Sequence, residues 1–103
     1  MYGLIGKMTA TPGERDALIG LMLEGSAAMP GCLSYIVAKD AADADEIWVT
    51  EVWDSEASHT ASLQIPSVRA TIAQAMPLIA GFESGTITEP VGGVGLSATN
   101  SAT

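Results

Sequence analysis

Apolar and polar positions alternate with a period of two in three stretches of the chain, and each stretch is bounded by turn residues. The pattern predicts a first strand over Tyr2 to Ala10, with Tyr2, Leu4 and Met8 on one parity and Ile5, Lys7 and Thr9 on the other. A second strand is predicted over Cys32 to Lys39, with Leu33, Tyr35 and Val37 opposed to Cys32, Ser34, Ile36 and Ala38. A third runs from Glu46 to Trp53, where Ile47, Val49, Glu51 and Trp53 face one way and Trp48, Thr50 and Val52 the other. The acidic turn Asp40 to Asp45 joins the last two as a hairpin.

Between the first two strands the apolar spacing changes to that of a helix. Thr11-Pro12-Gly13-Glu14 reads as a capping box with Pro at the first helical position. Leu18, Leu21, Met22, Gly25 and Met29 form the buried stripe, and Pro30-Gly31 ends it. Asp54-Ser55 opens a second helical region, which Pro66 divides into a short piece and a longer helix bearing Val68, Ile72, Met76 and Ile79. Pro77 should distort its last turn, and Gly81 should stop it. A fourth strand is expected from Phe82 to about Glu89. Residues 91–103, rich in Gly, Ser, Thr and Ala, read as a tail whose ordering would need a surface such as a partner subunit.

The order β-α-β-β-α-β is that of the α+β ferredoxin-like fold: an antiparallel sheet with two helices on one face, formed by residues 1–90 as one domain. The strands are apolar on both parities, as in Leu4 and Ile5, Ile36 and Val37, Trp48 and Val49. Two helices cover only one face. The other is therefore expected to meet a second copy of the chain, making a homodimer through the open sheet face.

Composition narrows the possible partners. The 103 residues carry 4 Lys and Arg against 12 Asp and Glu, a net charge of −8. The cations Lys7, Arg15, Lys39 and Arg69 are scattered, which argues against nucleic acid and against an anionic membrane surface. No stretch has the length of a membrane span, and the N-terminus lacks the apolar block of a secretory signal. One cysteine, Cys32, allows no intrachain disulfide, which suits a reducing cytoplasm.

Candidate chemistry is sparse. One His and one Cys make no metal cluster. The Asp40–Asp45 turn lacks the Gly and bidentate Glu of a calcium loop. Gly92, Gly93 and Gly95 have no helix behind them to form a phosphate cradle. Cys32 has no cationic neighbour and reads as a packed thiol. His59 is the only side chain that titrates near neutrality unperturbed; it is either a helix-surface or capping residue, or a base at the mouth of a pocket. Tyr35, Trp48 and Trp53 either fill the core or wall a site for a flat ligand. Arg69 is either a surface residue or the partner of a phenolate or carboxylate.

Four segments, Tyr2-Gly3-Leu4-Ile5-Gly6-Lys7, Pro30-Gly31-Cys32-Leu33-Ser34-Tyr35, Glu51-Val52-Trp53-Asp54-Ser55-Glu56-Ala57-Ser58-His59 and Leu78-Ile79-Ala80-Gly81-Phe82, occur in that order. Together they resemble the antibiotic biosynthesis monooxygenase family and its quinol monooxygenase-like relatives, over residues 2 to about 90. The resemblance implies a dimeric α+β barrel that oxygenates a small phenol or quinol with O₂, using no metal, flavin or haem. It implies His59 as base or hydrogen-bond partner, Trp53 as a pocket wall, and Tyr35 and Trp48 as further pocket residues. Many members carry a His about nine residues after the aromatic that ends strand three. Here that position is Ser62, and the His comes one helical turn earlier. Haem-degrading relatives use an Asn, but the only Asn is Asn100, in the tail. The rival reading is a non-enzymatic dimeric module that binds a small hydrophobic ligand, because a fold does not fix a function.

Overall fold

The computed structural model describes residues 1–83 and 85–96. The elements run β1 (Tyr2–Ala10), α1 (Arg15–Gly25), β2 (Cys32–Lys39), β3 (Glu46–Trp53), α2 (Glu56–Ser62), α3 (Pro66–Ala75), a 3₁₀ turn (Met76–Leu78), β4 (Ile79–Phe82) and β5 (Thr86–Thr88). The sheet is antiparallel, in the order β2-β3-β1-β4, with β5 also pairing β1. This is the ferredoxin-like α+β arrangement. The first three strands match their expected bounds, because alternation and turn residues agree there.

The helix start differs from expectation. Pro12-Gly13 closes a turn in which the Glu14 N–H donates to the Thr11 carbonyl (3.0 Å) and Gly13 sits at φ +82°. That is a Pro-Gly type II turn, and a residue at positive φ cannot belong to a right-handed helix. Thr11 therefore caps nothing, and α1 begins only at Arg15, with no side-chain cap at Glu14. The same device recurs at Pro30-Gly31, where the Cys32 N–H donates to the Met29 carbonyl (3.1 Å) and Gly31 sits at φ +83°. It turns the chain into β2 rather than ending α1, which stops at Gly25.

The C-terminal elements also differ. Pro66 starts α3 as its first residue, where its missing N–H removes no helical bond. Pro77 tightens the end of α3 into the 3₁₀ turn, so the chain is extended by Ile79, and Gly81 lies within β4. The expected fourth strand is two short pieces on one edge of β1. Partner numbers sum to 90 for Met8–Phe82 and to 91 for Gly3–Thr88, so one residue is extra between the pieces. The tail beyond residue 96 lies outside the described residues.

The core sits between the sheet and the helices. Ala10, Leu18, Ile47, Val49 and Ala75 are buried in one cluster, with Met22, Tyr35, Val37 and Leu78 packed against it. Leu18, fully buried, comes from the α1 stripe, while Ile47, Val49 and Trp53 give the inner parity of β3. The opposite face is open. Ile5, Ile36 and Trp48 are exposed there, Ile36 at 57%. Trp48 is held by two polar neighbours. Its indole N–H donates to Asp40 Oδ1 (2.8 Å), and Lys7 Nζ lies 5.1 Å from the ring centroid, itself paired with Glu46 (2.9 Å). The Trp48 hydrogen bond is the leading reason the Asp40 carboxyl is held down to about 2, ahead of the backbone N–H groups of Asp43 and Ala42 that close the turn. Among the described residues no helix is long and apolar enough to cross a membrane.

Candidate active site

A cavity of about 290 Å³ lies under the helices, against the inner face of the sheet. Its walls are mainly apolar. α1 and the loop after it supply Leu18, Met22 and Met29; α3 and the 3₁₀ turn supply Val68, Ile72, Ala75 and Met76; the sheet supplies Met8, Ile79 and Phe82. Four of the five methionines, Met8, Met22, Met29 and Met76, line it. Methionine is unbranched and polarizable, so such a wall can reshape around a ligand. Ile72, Met76 and Phe82 are exposed and form part of the rim. The α3 stripe therefore borders a hollow in place of packed core, which is why Ile72 and Met76 are less buried than helical spacing suggested.

The polar groups converge at the Trp53 end. Tyr35 and Glu51 are directly opposed across β2 and β3, and both line the cavity. The Trp53 indole N–H donates to Glu51 Oε1 (3.0 Å). His59 stands on α2, whose start is fixed by Ser55, its hydroxyl accepting the Ser58 N–H (3.1 Å). The His59 ring meets Trp53 edge-on at 5.3 Å and is backed by Tyr2 at 5.6 Å. Tyr2 and Trp53 are themselves cross-strand partners, so β1, β3 and α2 jointly set the imidazole. Ser62, buried three residues on, lines the same cavity and donates to the His59 carbonyl (2.6 Å).

Of the residues singled out from sequence, His59, Trp53 and Tyr35 are brought together here. Trp48 and Arg69 are not. Trp48 lies on the open face of the sheet, because its parity is opposite to that of Trp53, and neither it nor the exposed Arg69 lines the cavity. Glu51 was missed as a candidate. The available signal was an acid at an inward-facing position of a strand, between Val49 and Trp53.

Burial, then the Glu51 carboxylate, then Cys32 push the Tyr35 phenol up to about 12. Burial and then Glu51 also push the Cys32 thiol up, against a smaller opposite effect of the Ser34 backbone, so this thiol is a poor nucleophile. Tyr35 gives the protein an alkaline dependence of fixed sign. The unfolded chain ionises this phenol near 10, whereas the folded one holds its proton until about 12. The stabilisation is complete below pH 10 and is lost as pH rises from there toward 12. Urea midpoints measured across that window should fall more steeply for the wild type than for Tyr35→Phe; parallel curves would contradict this. Among the described residues no group of three or more His, Cys, Asp or Glu could hold a metal ion.

The profile of the antibiotic biosynthesis monooxygenase family matches residues 1–74. The chain belongs to the antibiotic biosynthesis monooxygenase family. A Chloroflexus aurantiacus crystal structure bearing that family name is 61% identical, covers 92% of this chain and 97% of its own, and superposes with a TM-score of 0.89. A Deinococcus radiodurans structure of the same description is 22% identical, with coverages of 91% and 96% and a TM-score of 0.74. PA3566 from Pseudomonas aeruginosa is 21% identical, with coverages of 88% and 94% and a TM-score of 0.76. The last two show likeness of fold alone. No curated protein matches the chain.

Proposed function

We propose that this family member oxygenates a small phenol or quinol with O₂ in the cavity beside His59. The observation that carries the reading is an apolar cavity in which an imidazole, a carboxylate and an indole meet at one end. A flat ring fits between the methionine side chains and Trp53, and its hydroxyl can be held by His59. For a hydroquinone the step balances without an outside reductant. One oxygen atom of O₂ enters the ring and the other leaves as water; the hydroquinone supplies the four electrons and becomes a hydroxyquinone. The roles of the chain are to bind the ring, exclude water and receive the hydroxyl proton at His59, so that electron transfer to O₂ leaves no cationic radical.

The test is oxygen uptake by metal-free protein supplied with a panel of hydroquinones. Uptake above the autoxidation background is expected, reduced at least tenfold in His59→Ala, in line with the usual contribution of a positioned base. Background uptake across the panel, in wild type and variant alike, would sink the proposal. The alternative, binding without turnover, is favoured by one observation: burial and then Glu51 hold the proton on the resident phenol of Tyr35, and a bound phenol buried beside Glu51 would be held neutral in the same way.

We further place a second copy of the chain on the open sheet face, completing a dimeric α+β barrel. Ile5, Ile36 and Trp48 are exposed there on three neighbouring strands, and the family resemblance points to the same assembly. Sedimentation should give twice the chain mass, and Ile36→Asp should halve it by placing a charge in the contact. A wild-type monomer would contradict this part.

A further inference from the structure

We infer that Glu51 makes this cavity selective by charge, admitting neutral or cationic aromatics and rejecting those that bear a carboxylate, sulfonate or phosphate. The inference rests on the cavity being the substrate site and names the substrate class that it accepts.

No Lys or Arg lines the cavity. All four cations of the chain are placed elsewhere. Lys7 pairs with Glu46 (2.9 Å) and Lys39 with Asp16 (3.1 Å). Arg15 donates to the Asp43 carbonyl (2.8 Å), and Arg69 is exposed on α3. Glu51 thus has no ionic partner among the described residues, and its one side-chain donor is the Trp53 indole, on Oε1. The second oxygen is open to a hydroxyl donated by a ligand.

A carboxylate in an apolar hollow is felt strongly by anything beside it. Two like charges a few ångströms apart repel far more there than in water, because the effective dielectric is about 20 in place of 80. An anionic aromatic that enters meets this repulsion with no Lys or Arg on the cavity wall to offset it. A neutral phenol meets a hydrogen-bond acceptor instead. Tyr35, the phenol already present, shows the same influence, since Glu51 helps to keep it un-ionised.

The matched probes are gentisate and its methyl ester, which share the hydroquinone ring and differ in charge near neutral pH. Their dissociation constants are measured by calorimetry under nitrogen, so that no turnover intervenes. In the wild type the ester should bind at least roughly tenfold more tightly than the acid. Glu51→Gln keeps an oxygen to accept the Trp53 indole N–H and removes the charge; it should bring the two within about threefold. Glu51→Asp keeps the charge and should keep the discrimination. Equal binding by the wild type, or a ratio unchanged in Glu51→Gln, overturns the inference. If that variant does not fold, the wild-type ratio and Glu51→Asp decide it. Absence of binding by both compounds overturns it together with the site itself. Discrimination without oxygen uptake leaves it standing and removes the oxygenation reading alone.

Discussion

Replacing Trp53 by alanine should destabilise the protein by about 3–5 kcal/mol, the range for large aromatic truncations in a core. Trp53 is 1% exposed and is the largest fully buried side chain. It ends β3, pairs across the sheet with Tyr2 on one side and Cys32 on the other, and carries the edge contact with His59. Its loss opens the cavity, leaves Glu51 without its donor and frees one side of α2. Domains of this size have roughly 5–15 kcal/mol in hand, so the melting temperature should fall by roughly 15–25 °C. Trp53→Phe keeps most of the buried area but loses the N–H and part of the bicyclic ring, so its loss should be smaller, about 2 kcal/mol. A thermal melt of Trp53→Ala within a few degrees of wild type would show that the indole is not the centre of this region.

Gly31→Ala is the second large effect, and it comes from the backbone. At φ +83° an L side chain is strained by about 1–2 kcal/mol. A Cβ there would also stand 2.6 Å from Ser58 Cβ and 2.8 Å from Asp54 Oδ1. The turn has no room to yield, because the Gly31 carbonyl accepts the Asp54 N–H (2.9 Å), tying the entry of β2 to the entry of α2. Ser58 precedes His59, so relief of the clash moves the imidazole. Gly13 supplies the control. It has φ +82° but open space around a Cβ, so Gly13→Ala carries the strain without the collision. Denaturant unfolding should show about 2–4 kcal/mol for Gly31→Ala and about half that for Gly13→Ala. Equal losses at the two positions would mean that the packing of Gly31 on α2 is looser than described.

These positions also show what the sequence could and could not convey. β2 and β3 were legible to the residue, because their alternation ends in residues with strong turn preferences. The start of α1 was not: Thr-Pro-Gly-Glu satisfies both a capping box and a type II turn, and the positive φ that Gly13 tolerates decides for the turn. The break between β4 and β5 follows from a one-residue register shift, which leaves no mark in composition. Parity separated Trp48 from Trp53, but both faces of the sheet are apolar, so it could not say which tryptophan lies under the helices. The cavity was hidden for a related reason. Helical spacing places Ile72 and Met76 toward the sheet without revealing that the space between is unfilled. Glu51 was legible in principle, as an acid on the inward parity of a buried strand, where an unpaired carboxylate is seldom found without a task.

The site can be located with two resonances. The chain has two tryptophans, Trp53 bonded to Glu51 at the end of the cavity and Trp48 bonded to Asp40 on the far face of the sheet. Each indole N–H gives its own cross-peak in a nitrogen–proton correlation spectrum, and a hydroquinone can be titrated in under nitrogen. Binding beneath the helices requires the Trp53 peak to shift and saturate while the Trp48 peak stays in place. A shift of the Trp48 peak with Trp53 unmoved would put the ligand on the opposite side of the sheet and contradict the assignment of this cavity.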